Sequence, residues 1–268
     1  MKMHYKKISK KDIEIISLIQ ELNLMKVTLI NRVQGNILIE YEGKHIGRTQ
    51  WDILKMYEEI IYPFHSVKTS QYSAGIYSFW DGVSLNYEKS YLDYLKNEIE
   101  VLRKFPVTDS YTRFRSEICG IAINALEKFI KKGVDVKEFS LLHGDLYNGN
   151  ILINAGRYVL IDFEYLRFGS PLLEWAFLLC WDLIVNDNKE IRKRIVLKVL
   201  SEKKKLIENN ILTQLEMEMI FEMYMPVLLS YAVHSAINNQ YKESTKILEL
   251  IKLFWKEEYK ILKNGDEI

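Results

Sequence analysis

Cysteine is almost missing from this chain: Cys119 and Cys180 are the only two among 268 residues. Two thiols this far apart make no metal-ligand spacing and indicate no disulfide framework. Their settings, Ile118-Cys119-Gly120-Ile121 and Leu178-Leu179-Cys180-Trp181, read as apolar helix faces holding buried free thiols. Long apolar runs are missing too. The segment 176–185 is interrupted by Asp182 and 227–236 by His234, so neither has the composition of a membrane span. Charge of one sign is also lacking, with 37 Lys and Arg against 36 Asp and Glu, a net +1. Nothing in that balance favours nucleic acid or an anionic membrane as a partner. The N-terminus carries Lys2, Lys6 and Lys7, but residues 13–24 are broken by Glu14, Ser17, Gln20 and Glu21. That is an amphipathic helix and not a signal peptide, so a cytoplasmic protein is expected. Repeated glycines are absent where a phosphate-cradling loop would show them, since Gly35 stands alone in Arg32-Val33-Gln34-Gly35-Asn36.

What is present is ordinary in bulk and unusual in one place. Hydrophobic residues make up 48% and charged residues 27%, and the length suffices for one large domain or two lobes with a sizeable core. The unusual place is His143-Gly144-Asp145-Leu146-Tyr147-Asn148-Gly149-Asn150, followed by Ile161-Asp162-Phe163-Glu164. Leu141-Leu142 leads into the first cluster and Ile151-Leu152-Ile153 leads out, which puts the polar residues on a loop between short strands. Asn154-Ala155-Gly156-Arg157 is turn chemistry, and Tyr158-Val159-Leu160-Ile161 reads as a returning strand that ends at Asp162. The hairpin predicts that Asn150 and Asp162 come close together.

A carboxamide and a carboxylate so placed suit Mg2+, a hard ion held by a few oxygen ligands together with substrate phosphates and water. Asp145 then faces an acceptor hydroxyl, orienting it and taking its proton as a phosphoryl group moves. His143 is expected to support the loop through backbone hydrogen bonds. Dense Asp and Asn also occur in turns for conformational reasons alone. The order and spacing of the two motifs favour phosphoryl transfer.

His143-Gly144-Asp145 with Asn150, then Ile161-Asp162-Phe163-Glu164-Tyr165, resembles the signature of the aminoglycoside phosphotransferase and choline kinase superfamily. The resemblance implies Asp145 as catalytic base, Asn150 and Asp162 as metal ligands, and Glu164 as a support near the site. It extends to Gly169-Ser170-Pro171-Leu172-Leu173-Glu174-Trp175-Ala176, similar to the family's Pro-x-x-Asp-Leu-Ala stretch, with Glu174 and Trp175 in place of Asp and Leu. It also implies an α+β, two-lobed protein-kinase-like fold. Residues 1–82 would form a small, mainly antiparallel β nucleotide-binding lobe, and residues 83–268 a larger, mainly helical lobe with the catalytic loop and acceptor pocket.

The pattern along the chain fits that expectation. Residues 27–33, 36–41, 45–50, 67–72 and 76–80 read as strands around a helix at 51–62. Helical spacing follows at 91–104, 110–132, 172–185, 189–209, 212–238 and 241–263. The resemblance further implies a hinge at Asp81 and Gly82 that receives the base of ATP or GTP. It also implies a cation on the third strand, Arg48 with Lys44 as the rival, oriented by Glu58 or Glu59 on the next helix. For the acceptor, Glu216, Glu218 and Glu222 offer carboxylates to a polycationic aminoglycoside, although at helical spacing they also read as a solvated face. Tyr165, Trp175, Trp181, Tyr224, Tyr231 and Trp255 offer an aromatic cage for a quaternary ammonium, with core packing the stronger reading. The expected activity is transfer of a γ-phosphoryl group to an aminoglycoside-like or amino-alcohol acceptor. A choline, ethanolamine or sugar kinase, and an inactive kinase-fold binding protein, are the alternatives.

Overall fold

In a computed structural model of the protein, the described residues are 2–8, 28–33, 36–45, 47–68, 117, 120, 124, 140–163, 167–169, 171–238 and 240–265. The expected helix at 13–24 and strand at 76–80 lie outside them, as do the helix at 91–104 and all but three residues of that at 110–132. The chain forms two compact units. The first comprises Met1–Asp81 with Glu138–Glu174, and the second Gly82–Lys137 with Trp175–Ile268.

The first unit is built on an antiparallel sheet. Strand β3 (Asn36–His45) pairs with β1 (Lys2–Ile8) and β2 (Thr28–Val33), and its last residues pair with β5 (Ile151–Asn154), which pairs with β6 (Arg157–Leu160). The register places Lys44 opposite Ile153 and His45 opposite Leu152. Gly43 makes this junction possible, because a Cβ there would stand 2.8 Å from Leu152 Cβ. A second, two-stranded sheet joins β4 (Ser140–Leu142) to β7 (Arg167–Gly169), so the two polar motifs lie between paired strands. The basic N-terminal residues belong to β1, a strand that the sequence pattern does not announce.

The expected strand at 45–50 is corrected by the structure. Strand β3 ends at His45, and Arg48–Gln50 form a 3-10 turn. A helical rod follows: α1 (Ile53–Met56), a π turn (Tyr57–Ile61) and α2 (Tyr62–His65). Asp52 caps it by accepting from the Leu54 and Lys55 N–H groups, satisfying donors that a helix start leaves open. Ile53, Met56, Ile60, Ile61 and Phe64 are buried along it. Beyond it, Lys68 makes an isolated antiparallel bridge to Ser140; the rest of the strand expected at 67–72 lies outside the described residues.

In the second unit, Trp175 onward continues α3 (Pro171–Val185), followed by α4 (Lys189–Glu208), α5 (Gln214–Ile237), α6 (Tyr241–Leu253), a π turn (Phe254–Glu258) and α7 (Tyr259–Asn264). The α+β class read from the sequence is the observed one. Thr213 and Glu216 open α5 as a reciprocal capping box: Thr213 N–H donates to Glu216 Oε2 at 2.7 Å and Glu216 N–H to Thr213 Oγ1 at 3.1 Å. Cys180 is buried and forms no disulfide. No described helix is long and apolar enough to cross a membrane.

One buried ion pair ties these helices together. Arg192 donates to both carboxylate oxygens of Glu258, at 2.6 and 2.5 Å, and its guanidinium also meets the Leu183 and Asn186 carbonyls near the end of α3. Burial raises the Glu258 carboxyl above its ordinary value of 4.5, and Arg192 offsets part of that rise. Glu258→Ala strands a guanidinium that is 2% exposed. Urea unfolding should therefore show a loss of about 3–5 kcal/mol. A change below about 1 kcal/mol, the range of exposed pairs, would contradict this burial.

Candidate active site

The loop that carries the first motif begins where β4 ends. His143 is buried behind it, and its two ring nitrogens have partners of opposite kind. Nε2–H donates to the Ile161 carbonyl at 2.9 Å, and Nδ1 accepts from the Asp145 N–H at 3.3 Å. A carbonyl only accepts and an amide N–H only donates, so the pair of bonds defines a neutral imidazole protonated on Nε2. Burial pushes its pKa below the ordinary 6.5, outweighing the opposing pull of Glu174, the Ile161 carbonyl, Asp145 and Asp162.

Asn150 performs the second connection. Its Nδ2 donates to the Asp145 carbonyl at 2.8 Å and to Asp145 Oδ2 at 2.9 Å, while its own carbonyl accepts from the Ile161 N–H at 3.0 Å. The hairpin therefore brings Asn150 to the residue next to Asp162. Asp162 stands at φ 65°, a left-handed conformation that Asp tolerates better than most residues and that concentrates at functional sites. Gly144 also needs positive φ, at 83°. Gly149 leaves room for the Tyr147 ring, which a Cβ there would strike. Burial, followed by the charges of Asp145 and Asp162, raises the Tyr147 phenol above its usual 10.0, keeping it protonated beside the two carboxylates.

Glu174 reaches the same loop from the first turn of α3. Its Oε1 accepts from the Gly144 N–H at 2.8 Å, and its Oε2 lies 2.8 Å from His65 Nε2. The longer carboxylate that replaces the Asp of the resembled pattern thus gives one oxygen to the loop and one to the helical rod.

Arg48 is 6% exposed in its 3-10 turn, with its guanidinium 4.9 Å from the centre of the Trp51 ring. Lys44 is exposed at the end of β3. Glu59 accepts from the Tyr158 N–H at 2.8 Å, so the carboxylate expected to orient the cation also holds the β5–β6 hairpin. Asp81, Gly82 and Glu164 lie outside the described residues. Sequence reasoning missed His65 and Tyr158, whose phenol accepts from the Asp52 N–H at 2.8 Å. Their partners are about a hundred residues away, and no local pattern marks them.

The donor set fits a divalent hard cation. Asn150 commits its amide nitrogen to Asp145, so its side-chain oxygen and the Asp162 carboxylate would be the ligands offered to such an ion. Among the described residues no group of three or more His, Cys, Asp or Glu forms a metal cage. An ion here would take its remaining ligands from nucleotide phosphates and water, as Mg2+ does.

The acceptor candidates in the second unit are narrower than expected. Glu216 serves the capping box, and Glu222 is 2% exposed and accepts from the Tyr259 hydroxyl at 3.2 Å, so it is no part of a solvated face. Trp175 and Tyr224 are interior, and Tyr224 O–H donates to the Cys180 carbonyl. Trp181 stacks on Phe177 and Trp255 on Tyr259. The side chains of Tyr165 and Tyr231 lie outside the described residues.

Residues 85–196 match the model of the phosphotransferase enzyme family APH. No curated protein matches the chain. Among solved structures it is similar to an ethanolamine kinase of Plasmodium vivax, with 13% identity over 97% of this chain and 84% of that one, at a TM-score of 0.57. It is similar to aminoglycoside 2'-phosphotransferase-IIIa in its GDP complex, with 16% identity over 91% and 80%, at 0.58. A choline kinase of Cryptosporidium parvum shares 9% identity over 98% and 83%, at 0.56. The chain therefore has the protein-kinase-like fold of aminoglycoside phosphotransferases and choline and ethanolamine kinases, the superfamily that its motifs resemble.

The state of His143 sets a pH dependence. Its folded pKa lies below the unfolded value, so the unfolded chain takes up the proton first as pH falls. The stability it contributes is complete above about 6.5 and is lost progressively below that. Melting temperatures from pH 8 to 5 should fall less steeply for His143→Gln than for the parent protein. Equal slopes would contradict a buried neutral His143.

Proposed function

We propose that this protein is a kinase that transfers the γ-phosphoryl group of ATP or GTP, with Mg2+, to a hydroxyl of a small, cationic acceptor of the aminoglycoside or amino-alcohol class. The observation that carries the reading is the pair of hydrogen bonds that Asn150 Nδ2 donates to Asp145, from a residue whose main chain also holds the strand leading to Asp162. One element thus fixes the proton acceptor and the two oxygen donors relative to each other. Pre-organisation of this kind supplies much of the catalysis in phosphoryl transfer.

In this mechanism Asp145 orients the acceptor hydroxyl and takes its proton as the oxygen bonds to the γ-phosphorus. The bond from that phosphorus to the β–γ bridging oxygen breaks, and the nucleoside diphosphate leaves. Asn150 and Asp162 would hold Mg2+, which neutralises charge on the phosphate oxygens when bound. Arg48, with Lys44 as the rival cation at the end of β3, binds the nucleotide phosphates, Glu59 orients that cation, and Asp81 and Gly82 receive the base. Residues 1–82 then serve the nucleotide and 83–268 the acceptor and the chemistry. His143 and Glu164 support the site. The cytoplasm supplies both nucleotide and Mg2+.

The test is diphosphate release from ATP or GTP with Mg2+ across aminoglycosides, choline, ethanolamine and sugars, read beside nucleotide-induced shifts in melting temperature. At least one acceptor should give turnover. Asp162→Ala should abolish the thermal shift. Asp145→Asn should retain it while turnover falls on the order of 10²- to 10⁴-fold. Silence across the panel would favour a kinase-fold binding protein, and equal loss of shift and turnover in Asp145→Asn would refute the division of roles.

A further inference from the structure

His65 is a buried histidine that neither motif includes, at the last position of the helical rod. Its Nε2 lies 2.8 Å from Glu174 Oε2, and both residues are almost fully enclosed, at 9% and 4% exposure. A carboxylate only accepts, so His65 Nε2–H is the donor. The other oxygen of the same carboxylate accepts from the Gly144 N–H, one residue before Asp145. Gly144 is also the residue of the loop that stands at φ 83°. Glycine takes that conformation without a steric penalty, so the chain can turn here and present its N–H to Glu174.

The contacts around His65 make it a fixed point and not a passing neighbour. Immediately after it, the Val67 carbonyl accepts from the Leu141 N–H at 2.9 Å, and Lys68 Nζ donates to Ser140 Oγ at 2.6 Å. The rod's far end is tied to the β5–β6 hairpin through the Asp52 N–H to the Tyr158 hydroxyl, Lys55 Nζ to the Gly156 carbonyl at 2.6 Å, and the Tyr158 N–H to Glu59. Phe64, next to His65, stacks on Phe163 with ring centres 6.1 Å apart, and Phe163 meets His143 at 5.0 Å. The rod therefore touches both sides of the catalytic loop.

We infer that His65 is a positioning residue for the transfer reaction: it orients the Glu174 carboxylate, which holds the Gly144 amide and so sets the placement of Asp145. This inference rests on the kinase reading for its kinetic consequence, although the chain His65–Glu174–Gly144 stands on geometry alone. Removing the imidazole leaves a buried carboxylate with one partner where it had two, free to turn away from Gly144. Asp145 would then be misplaced toward the acceptor, while the groups that bind nucleotide stay where they are.

The experiment compares the full-length parent protein with His65→Leu and His65→Gln, the latter keeping an N–H donor of similar reach. Two readouts are taken: kcat and the KM for nucleotide with the acceptor found active, and hydrogen exchange of the Gly144 amide. His65→Leu should lower kcat on the order of tenfold or more with KM for nucleotide nearly unchanged, and should speed Gly144 exchange. His65→Gln should recover most of both. Wild-type kcat and unchanged Gly144 protection in His65→Leu would overturn the inference, as would a rise in KM without loss of kcat, or equal damage in the two variants. If the parent protein transfers no phosphoryl group, the kinase reading fails. The exchange arm still decides whether His65 holds Gly144 through Glu174.

Discussion

The neutral imidazole of His143 is the constraint on which the site depends, because it binds two main-chain groups that sequence alone keeps apart. It accepts from the amide of Asp145 and donates to the carbonyl of Ile161, 18 residues downstream of it. Only one tautomer satisfies both bonds, and burial keeps it by disfavouring the charged ring. The proposed proton acceptor and the proposed metal ligand Asp162 are therefore set relative to each other by one uncharged group. Asn150 closes the same gap from the other side, bonding the Asp145 side chain and accepting from the Ile161 amide. Asp162 is held at φ 65° just beyond these bonds, which is how a local strain persists in a folded chain.

The remainder of the first unit supports this pair of loops. Strand β3 reaches the hairpin through Gly43, where any side chain would press on Leu152. The rod of residues 53–65 then spans from the hairpin, through Asp52, Lys55 and Glu59, to the loop of residues 143–150, through His65 and Glu174. Glu174 illustrates how a changed residue is accommodated. Its extra methylene costs no bond, since both oxygens find donors. In the second unit the same principle operates with charge: Arg192 is tolerated in the interior because Glu258 and two carbonyls occupy its donors.

Much of this was legible in the sequence, for identifiable reasons. The motif residues His143, Asp145, Asn150 and Asp162 lie within 20 residues on a hairpin whose turn, Asn154-Ala155-Gly156-Arg157, is encoded locally. Helical spacing located 171–185, 189–208 and 214–237 to within a few residues: the second buries a stripe that includes Ile195, Val199 and Leu206, and the first is buried along most of its length. The strand read at 45–50 stops at His45, because Arg48–Gln50 close a 3-10 turn in which the Gln50 and Trp51 N–H groups donate to the Gly47 and Arg48 carbonyls. Strand β1 was illegible because its lysines mask a pairing that β3 alone provides. His65 was illegible for a different reason: its meaning lies in Glu174, 109 positions away, and a lone histidine at a helix end carries no local mark. The burial of Glu222 likewise depends on Tyr259, which spacing within its own helix does not reveal.

The central claim is that one uncharged histidine locks the two loops, and nitrogen NMR of the His143 ring in the intact protein tests it most directly. An Nε2-protonated neutral imidazole is expected at neutral pH, with its titration displaced below the ordinary 6.5. An Nδ1-protonated ring, or an imidazolium at neutral pH, would contradict it, because neither form makes both the Asp145 and Ile161 bonds.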